Sequence, residues 1–314
     1  PEAFFAVERQ MDRAAMKLGM DPLDLRLKNL IHRGDLFPFN QRLESGASAE
    51  AVLLRAAELS HYREKRARYE AERAQNKRIR HGIGLSIVMH GGGFTGSGED
   101  NMGTTVRVEF RDGRFLVLAS SVEMGQGSAT ILPMVAAETL GVGLDRVTAP
   151  PADTNHVPNS GPTVASRTTM FVGAATHDAC QNLIGELTGF LSDENACPPS
   201  EIAFEEGTFS VGGRSLSILD AASACVARRG ELSAEGTYKG PPTANPWDDR
   251  GFSGDAYKGY SWLATVVELE VDMDTYEANP IHTTAVAEIG RVIHPVLAAG
   301  QLAGGVLQSL GWAH

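Results

Sequence analysis

Four short segments carry residue types whose spacing suits chemistry. Glu123-Met124-Gly125-Gln126-Gly127-Ser128 stands between a strand-like run and a helix-like run. Glycine lets a backbone come close to a ligand, and a following helix offers unpaired N–H groups and a positive dipole end, so the segment reads as an anion site. Gln126, set between two glycines, adds an amide that both donates and accepts. Asn159 to Thr169 opens a second helix and gathers the hydroxyls of Ser160, Thr163, Ser166, Thr168 and Thr169. Within it, Val164 and Ala165 offer small apolar groups to something bulky. Gly300-Gln301, Gly304-Gly305 and Gln308 lie in a helical run that also contains Gly311. An interior helix glycine costs about 1 kcal/mol against alanine, so the cluster implies close packing or a bound ligand. The fourth segment, His90 to Glu99, has five glycines between Gly91 and Gly98. No regular element tolerates that, so it reads as a loop, with Phe94 either facing a substrate or sitting in a mobile surface turn.

Each segment also has an ordinary reading. Gly-x-Gly before a helix is common turn chemistry, a Ser/Thr cluster before a helix is often a cap, and a glycine-rich helix is often close helix packing. The sequence contains no zinc pattern, no Walker A loop and no Gly-x-Ser-x-Gly elbow. His282, His294 and His314 lack ligand spacing.

The elements that would position these segments follow from periodicity. Phe4, Val7, Met11, Ala14, Ala15 and Leu18 repeat at helical spacing over residues 2–18, closed by Gly19. Asp21-Pro22 caps a short helix with Leu23, Leu27 and Leu30, and Ser48 opens a third. Tyr62 to Arg80 is rich in Arg and Lys but interleaved with Glu64, Glu70 and Glu72, which reads as a solvated helix. After Gly82 the period becomes two: strands are expected at 83–89, 105–110 and 115–120, with Asp112-Gly113 as a hairpin turn. Helices are expected at 130–140, 168–191, 219–226 and 296–312, and strands at 147–149, 263–271 and 282–287. Leu263, Thr265, Val267, Leu269 and Val271 share one strand face. The fold class is α+β (mixed α/β), with helices packed on mixed sheets.

Composition bounds the function. The chain has 314 residues, a formal net charge of −11 and 42% hydrophobic residues, so it is globular and has length for two lobes. The acidic balance disfavours nucleic acid and anionic membrane as partners, and no apolar run approaches the ~20 residues of a spanning helix. Three widely spaced cysteines, Cys180, Cys197 and Cys225, fit no disulfide framework and point to a reducing, cytoplasmic compartment. The chain begins at Pro1 and stops at His314 within a helical pattern, which reads as a piece of something longer.

Taken together, the segments resemble the molybdenum-cofactor subunit of the xanthine dehydrogenase / aldehyde oxidase family. Glu123 to Gly127 matches that family's Glu-Met-Gly-Gln-Gly loop. Pro162 to Thr169, with its Thr-x-Ala-Ser-Arg core, resembles the cofactor-cradling segment. Glu288 to Pro295, followed by Gly300-Gln301, Gly304-Gly305 and Gln308, resembles the Asp-x-Gly-x-x-Ile-Asn-Pro…Gly-Gln…Gly-Gly…Gln-Gly stretch. Phe5 to Glu8 and Gly19 to Asn29 are similar to the region between motifs, and His90 to Glu99 resembles a bacterial, purine hydroxylase-like branch.

The resemblance implies a molybdopterin-binding fold in two lobes, with 1–80 the helical end of the first molybdenum-binding lobe and 81–314 an α/β cofactor-binding lobe truncated at its C-terminus. It implies that Met124, Gly125, Gln126, Gly127, Thr163, Val164, Ala165, Ser166, Arg167, Thr168 and Gln301 bind a molybdenum-molybdopterin cofactor in its cytosine dinucleotide form, with no metal ligand from a side chain. Phe94 is the substrate-pocket candidate. The implied reaction is hydroxylation of an N-heterocycle or aldehyde, with electrons leaving through iron–sulfur clusters to FAD on partner domains or subunits. The family's general-base Glu lies beyond His314, so the isolated chain is expected to be inactive. Ala303, Ser309 and His294 depart from the family pattern, and Glu99, Glu123 and Glu288 do not match the base position. Two other readings remain open at this stage: a non-catalytic scaffold or assembly piece, and a generic nucleotide-phosphate-binding module.

Overall fold

The computed structural model describes residues 2–75 and 77–313. Pro1 and His314, on which the reading of the chain ends rests, lie outside the described residues. In chain order the elements are α1 (Glu2–Leu18), α2 (Pro22–Asn29), α3 (Ala49–Leu59), α4 (Tyr62–Arg73), β1 (Ile79–Gly91), α5 (Ser97–Asn101), β2 (Thr105–Arg111), β3 (Arg114–Leu118) and α6 (Ser128–Leu140). They continue with β4 (Val147–Thr148), α7 (Gly173–Asn195), β5 (Ala203–Glu205), β6 (Thr208–Val211), β7 (Arg214–Ser217), α8 (Ile218–Arg229), β8 (Ser233–Thr237), β9 (Tyr260–Asp272), β10 (Ala278–Glu288) and α9 (Pro295–Ala313). The mixed α+β class is therefore observed. The chain divides into two compact units, one of Pro1–Gly91, Phe252–Asp255 and Gly259–His314, the other of Gly92–Gly251 and Ala256–Lys258.

In the first unit β9 is the centre of an antiparallel sheet of order β1-β9-β10. Its buried residues are Trp262, Ala264, Val266 and Glu268, packed with Leu23, Leu43, Leu53 and Ala56. The face carrying Leu263, Val267 and Leu269 is only half-buried. Both faces of this strand are apolar, so alternation locates the strand, but the helices that pack on it choose the inner face. Glu268 is tolerated inside because Lys65 Nζ (2.5 Å) and the Tyr69 hydroxyl (3.0 Å) of α4 donate to it. α4 ends at Arg73, earlier than the charge pattern implies, because Ile79 and Arg80 pair with Asp272 and Val271 of β9. The Asp21 cap is observed, its Oδ1 accepting from Leu23 N–H at 2.8 Å. Buried Arg26 of α2 donates to Glu8 and Asp12 of α1.

Two apolar expectations differ from the structure. Only Ala15 of α1 is buried, and Phe4, Val7 and Leu18 are exposed. No residue of α9 is buried, and a Cβ added at Gly300, Gly304, Gly305 or Gly311 would meet nothing within 4 Å. Close packing among the described residues therefore does not explain those glycines.

The second unit is built on a sheet of order β4-β3-β2-β8. Asp112 (φ +51°) and Gly113 (φ +74°) make its hairpin turn with the left-handed pair that matches strand twist. Val106, Val108, Phe115 and Val117 pack against Leu132, Ala136 and Leu140 of α6 and Ala175, Ala179, Leu183 and Leu187 of α7. The expected helix from Thr168 opens with a wide π turn, Thr168–Val172, before α7 begins at Gly173. Beyond α7, β5-β6-β7 form a small meander ahead of α8.

Candidate functional site

Glu123–Ser128, Asn159–Thr169 and the Gly92–Glu99 part of the fourth segment meet in the second unit. The run after β3 is stitched to the 159–167 loop by reciprocal serine bonds. Ser120 N–H donates to Ser160 Oγ (3.0 Å), and Ser160 N–H donates to Ser120 Oγ (2.9 Å). Ser160 Oγ in turn donates to Thr105 O at the start of β2 (2.8 Å), and Val122 N–H donates to Thr163 Oγ1 (2.8 Å). Three short bonds between the two loops, and a fourth from Ser160 to β2, fix them as one surface, since each backbone donor that leaves water needs a partner.

The Glu123–Ser128 segment corrects a simple anion-site reading. The Glu123 carboxylate already takes Gly125 N–H (2.7 Å), Gly127 N–H (3.0 Å), Ala129 N–H (2.8 Å) and the Ser128 hydroxyl (3.1 Å). The anion at the tip of α6 is therefore the protein's own side chain, and those donors are not free for phosphate. Backbone bonds from Ala129 and Gly127, then Gly125, hold this carboxyl down to about 2 from 4.5. A depressed carboxyl stabilises the folded loop above pH 4.5, and that contribution disappears as pH falls towards about 2. An NMR titration of the Glu123 carboxyl carbon is therefore expected to show its midpoint near 2; a midpoint at 4.5 would mean the carboxylate is not so bound. Gln126 is likewise turned inward: its Oε1 accepts from Met124 N–H (2.6 Å), and its Nε2 donates to Val122 O (2.7 Å). What the loop presents outward is Met124 and bare backbone at Gly125, which has φ +100° and nothing within 4 Å of an added Cβ.

The His90–Glu99 segment is not a free turn. Gly93 N–H donates to Ser166 O (3.3 Å) and Gly96 N–H to Ala256 O (2.7 Å), while Thr95 Oγ1 pairs with the Tyr257 hydroxyl (2.6 Å). A Cβ on Gly96 would fall 2.1 Å from Trp247, and one on Gly98 would fall 2.6 Å from the Phe94 ring. The loop is shorter than the expected His90–Glu99, because β1 runs through Gly91 and α5 opens at Ser97; left-handed backbone at Gly93 and Gly96, and close approach at Gly93, Gly96 and Gly98, account for three of the segment's glycines. Phe94, 41% exposed, thus sits on a pinned backbone.

Glu99 and Arg167 form a buried ion pair, with side chains 2% and 1% exposed and an Nη2–Oε1 distance of 2.9 Å. This removes Glu99 from the candidate bases. Glu123 is held by its own loop, and Glu288 accepts from Gly290 N–H (2.7 Å). Val164, Ala165 and Ser166 are exposed, and Ala165 holds φ +52°, a left-handed conformation costly for a residue with a Cβ. Among the described residues the Ser166 and Thr168 hydroxyls make no side-chain hydrogen bond to the rest of the chain. Gln301 lies on α9 in the other unit. Sequence reasoning missed the roles of Glu123, Ser120, Thr104 and Trp247. Only Glu123, an acid just ahead of a glycine-led helix start, carried a legible signal. A cleft of about 460 Å³ lies beside this surface, lined by Val122, Glu123, Leu132, Pro150 and Pro151 among others. Among the described residues no His, Cys, Asp and Glu group could hold a metal ion, and no helix is long and apolar enough to cross a membrane.

Comparison with known proteins bears on this arrangement directly. Residues 55–314 match a molybdopterin cofactor-binding domain, and residues 1–30 match a second domain of the same description. The chain is 29% identical over 316 residues to xanthine dehydrogenase/oxidase of Gallus gallus, covering 99% of this chain and 21% of that protein. It is 27% identical over 312 residues to xanthine dehydrogenase 2 of Arabidopsis thaliana, again covering 99% of this chain and 21% of the relative. It therefore spans about a fifth of the length of these relatives. Among solved structures, the aldehyde oxidoreductase from Desulfovibrio gigas superposes with TM-score 0.76 at 26% identity, over 99% of this chain and 31% of that one. The Cu,Mo-CO dehydrogenase superposes with TM-score 0.80 at 22% identity, over 97% of this chain and 39% of that one, which speaks to fold alone. With five-sixths of its length matched to one family, the chain belongs to the molybdopterin cofactor-binding domains.

Proposed function

We propose that this chain is part of the catalytic subunit of a molybdenum hydroxylase and holds molybdopterin on the joined 122–128 and 162–168 loops. The observation that carries this is the surface itself: two loops fixed to one another, with open space over Gly125 and small side chains at Val164 and Ala165. A pterin is broad, flat and polar at its rim, and fits a cradle without Cβ atoms and with hydroxyls at its edge. Met124, Gly125, Gln126 and Gly127 would approach it through backbone and the Met124 side chain. Thr163, Val164, Ala165, Ser166 and Thr168 would line the opposing edge. When bound, the cofactor supplies the oxidative hydroxylation chemistry, and the protein orients and polarises. Phe94 would form one wall of the substrate's place, for an N-heterocycle or aldehyde. The cytosine dinucleotide form, iron–sulfur clusters and FAD on partner domains or subunits, and a cytoplasmic location belong to the same reading.

Metal analysis of the full-length protein, with mild oxidative release of nucleotide, tests the proposal. The expected result is about one molybdenum per chain together with a cytosine nucleotide. Nucleotide without metal would instead support a plain nucleotide-phosphate module, and the absence of both would support a scaffold.

A further inference from the structure

We propose that the Glu99–Arg167 pair is a positioning element that sets the Phe94 loop against the 162–166 loop, without itself touching the bound group. The inference rests on the reading of those loops as the molybdopterin cradle. All five guanidinium N–H groups of Arg167 are occupied inside the protein. Nε donates to Glu99 Oε1 (3.1 Å), Nη1 to Ser160 O (2.8 Å) and Pro162 O (3.2 Å), and Nη2 to Glu99 Oε1 (2.9 Å) and Thr104 Oγ1 (2.7 Å). None is left to reach a phosphate. The other carboxylate oxygen, Glu99 Oε2, accepts Phe94 N–H at 2.8 Å. One planar fork therefore fixes the backbone at Ser160 and Pro162, just ahead of Thr163, while its acid partner fixes the backbone of Phe94.

The surrounding chain is shaped to close on this pair. A Cβ on Gly161 (φ +77°) would lie 2.8 Å from Arg167 Nη1, and a Cβ on Gly93 (φ +88°) would lie 2.5 Å from the Phe171 ring. The Phe171 ring in turn packs 5.9 Å from the guanidinium carbon. Gly93 N–H also bonds Ser166 O, so the residues just before Phe94 and just before Arg167 meet directly. Stability alone does not call for such a device, because apolar residues of matching volume replace a buried ion pair at little or no cost. What a bidentate, five-donor fork supplies, and an apolar plug or a lysine does not, is direction. Arg167 thus acts on the bound group through Ser160, Pro162 and Phe94.

The test uses the full-length enzyme and the double variant Glu99→Leu/Arg167→Met, which removes both charges and leaves no buried ion unpaired. If the pair positions the loops, the variant melts within a few degrees of wild type. Its molybdenum content falls about tenfold or more, in line with losses on removing outer supports of a metal site, and amide exchange at Phe94 accelerates. A variant with wild-type molybdenum content, wild-type KM and a protected Phe94 amide overturns the inference. If the double variant does not fold, Arg167→Lys decides: it keeps the charge but not the fork, and the same loss is expected. Wild-type occupancy in Arg167→Lys would count against the inference. Absence of molybdenum from the wild-type enzyme would instead sink the reading of the cradle, so the two failures are distinguishable.

Discussion

Glu123→Ala is expected to lower retention of molybdopterin by the full-length enzyme about tenfold, as loss of an outer support of a metal site does, while stability falls only by about 1 kcal/mol. The carboxylate gathers three backbone N–H groups and a hydroxyl into one turn ahead of α6. Without it, water satisfies those donors, because the segment is exposed, and the cost to folding is that of a lost helix cap. The shape of the turn is another matter. Gly125 and Gly127 hold φ of +100° and +91°, and glycine gives them no rotameric reason to stay there. The carboxylate is what selects that conformation, and with it the open backbone over Gly125. Glu123→Gln keeps an acceptor oxygen but loses the charge, so an intermediate loss is expected. Equal cofactor retention in wild type and Glu123→Ala, measured as molybdenum per chain after gel filtration, would show that the turn holds itself.

Gly236→Ala is expected to destabilise the second unit by about 3 kcal/mol, the upper end for overpacking. Gly236 lies in β8 opposite Val106 of β2, and the strand is pressed against α7. An added methyl would fall 2.0 Å from Ala179 N and 2.4 Å from Ala175 O. Both are helix backbone, so no side chain can swing aside, and either the helix or the strand must move. The displacement would also reach the cradle, because Thr105, next along β2, is the acceptor for Ser160 Oγ. Denaturant unfolding monitored in parallel with molybdenum content checks both effects. A loss below about 1 kcal/mol would mean that the contact between β8 and α7 is softer than a packed interior should be.

Periodicity located the elements, and local chemistry located several ends, such as the Asp21 cap and the Asp112-Gly113 turn. Those are decided by neighbours within a few residues, which is why they are legible. The glycine-rich loops also announced themselves, because only a left-handed backbone or a close approach explains so many glycines. Which face of β9 turns inward was not legible, since both faces are apolar and the choice belongs to α3 and α4. Nor was it legible that Glu99 would meet Arg167 across 68 residues. The sequence by itself determined the family, the order of the elements and the segments able to meet a ligand, because those rest on residue type and spacing. The tertiary structure alone decided which donors in those segments are already taken, because a hydrogen bond between distant residues depends on how the chain comes together, and spacing carries no record of that.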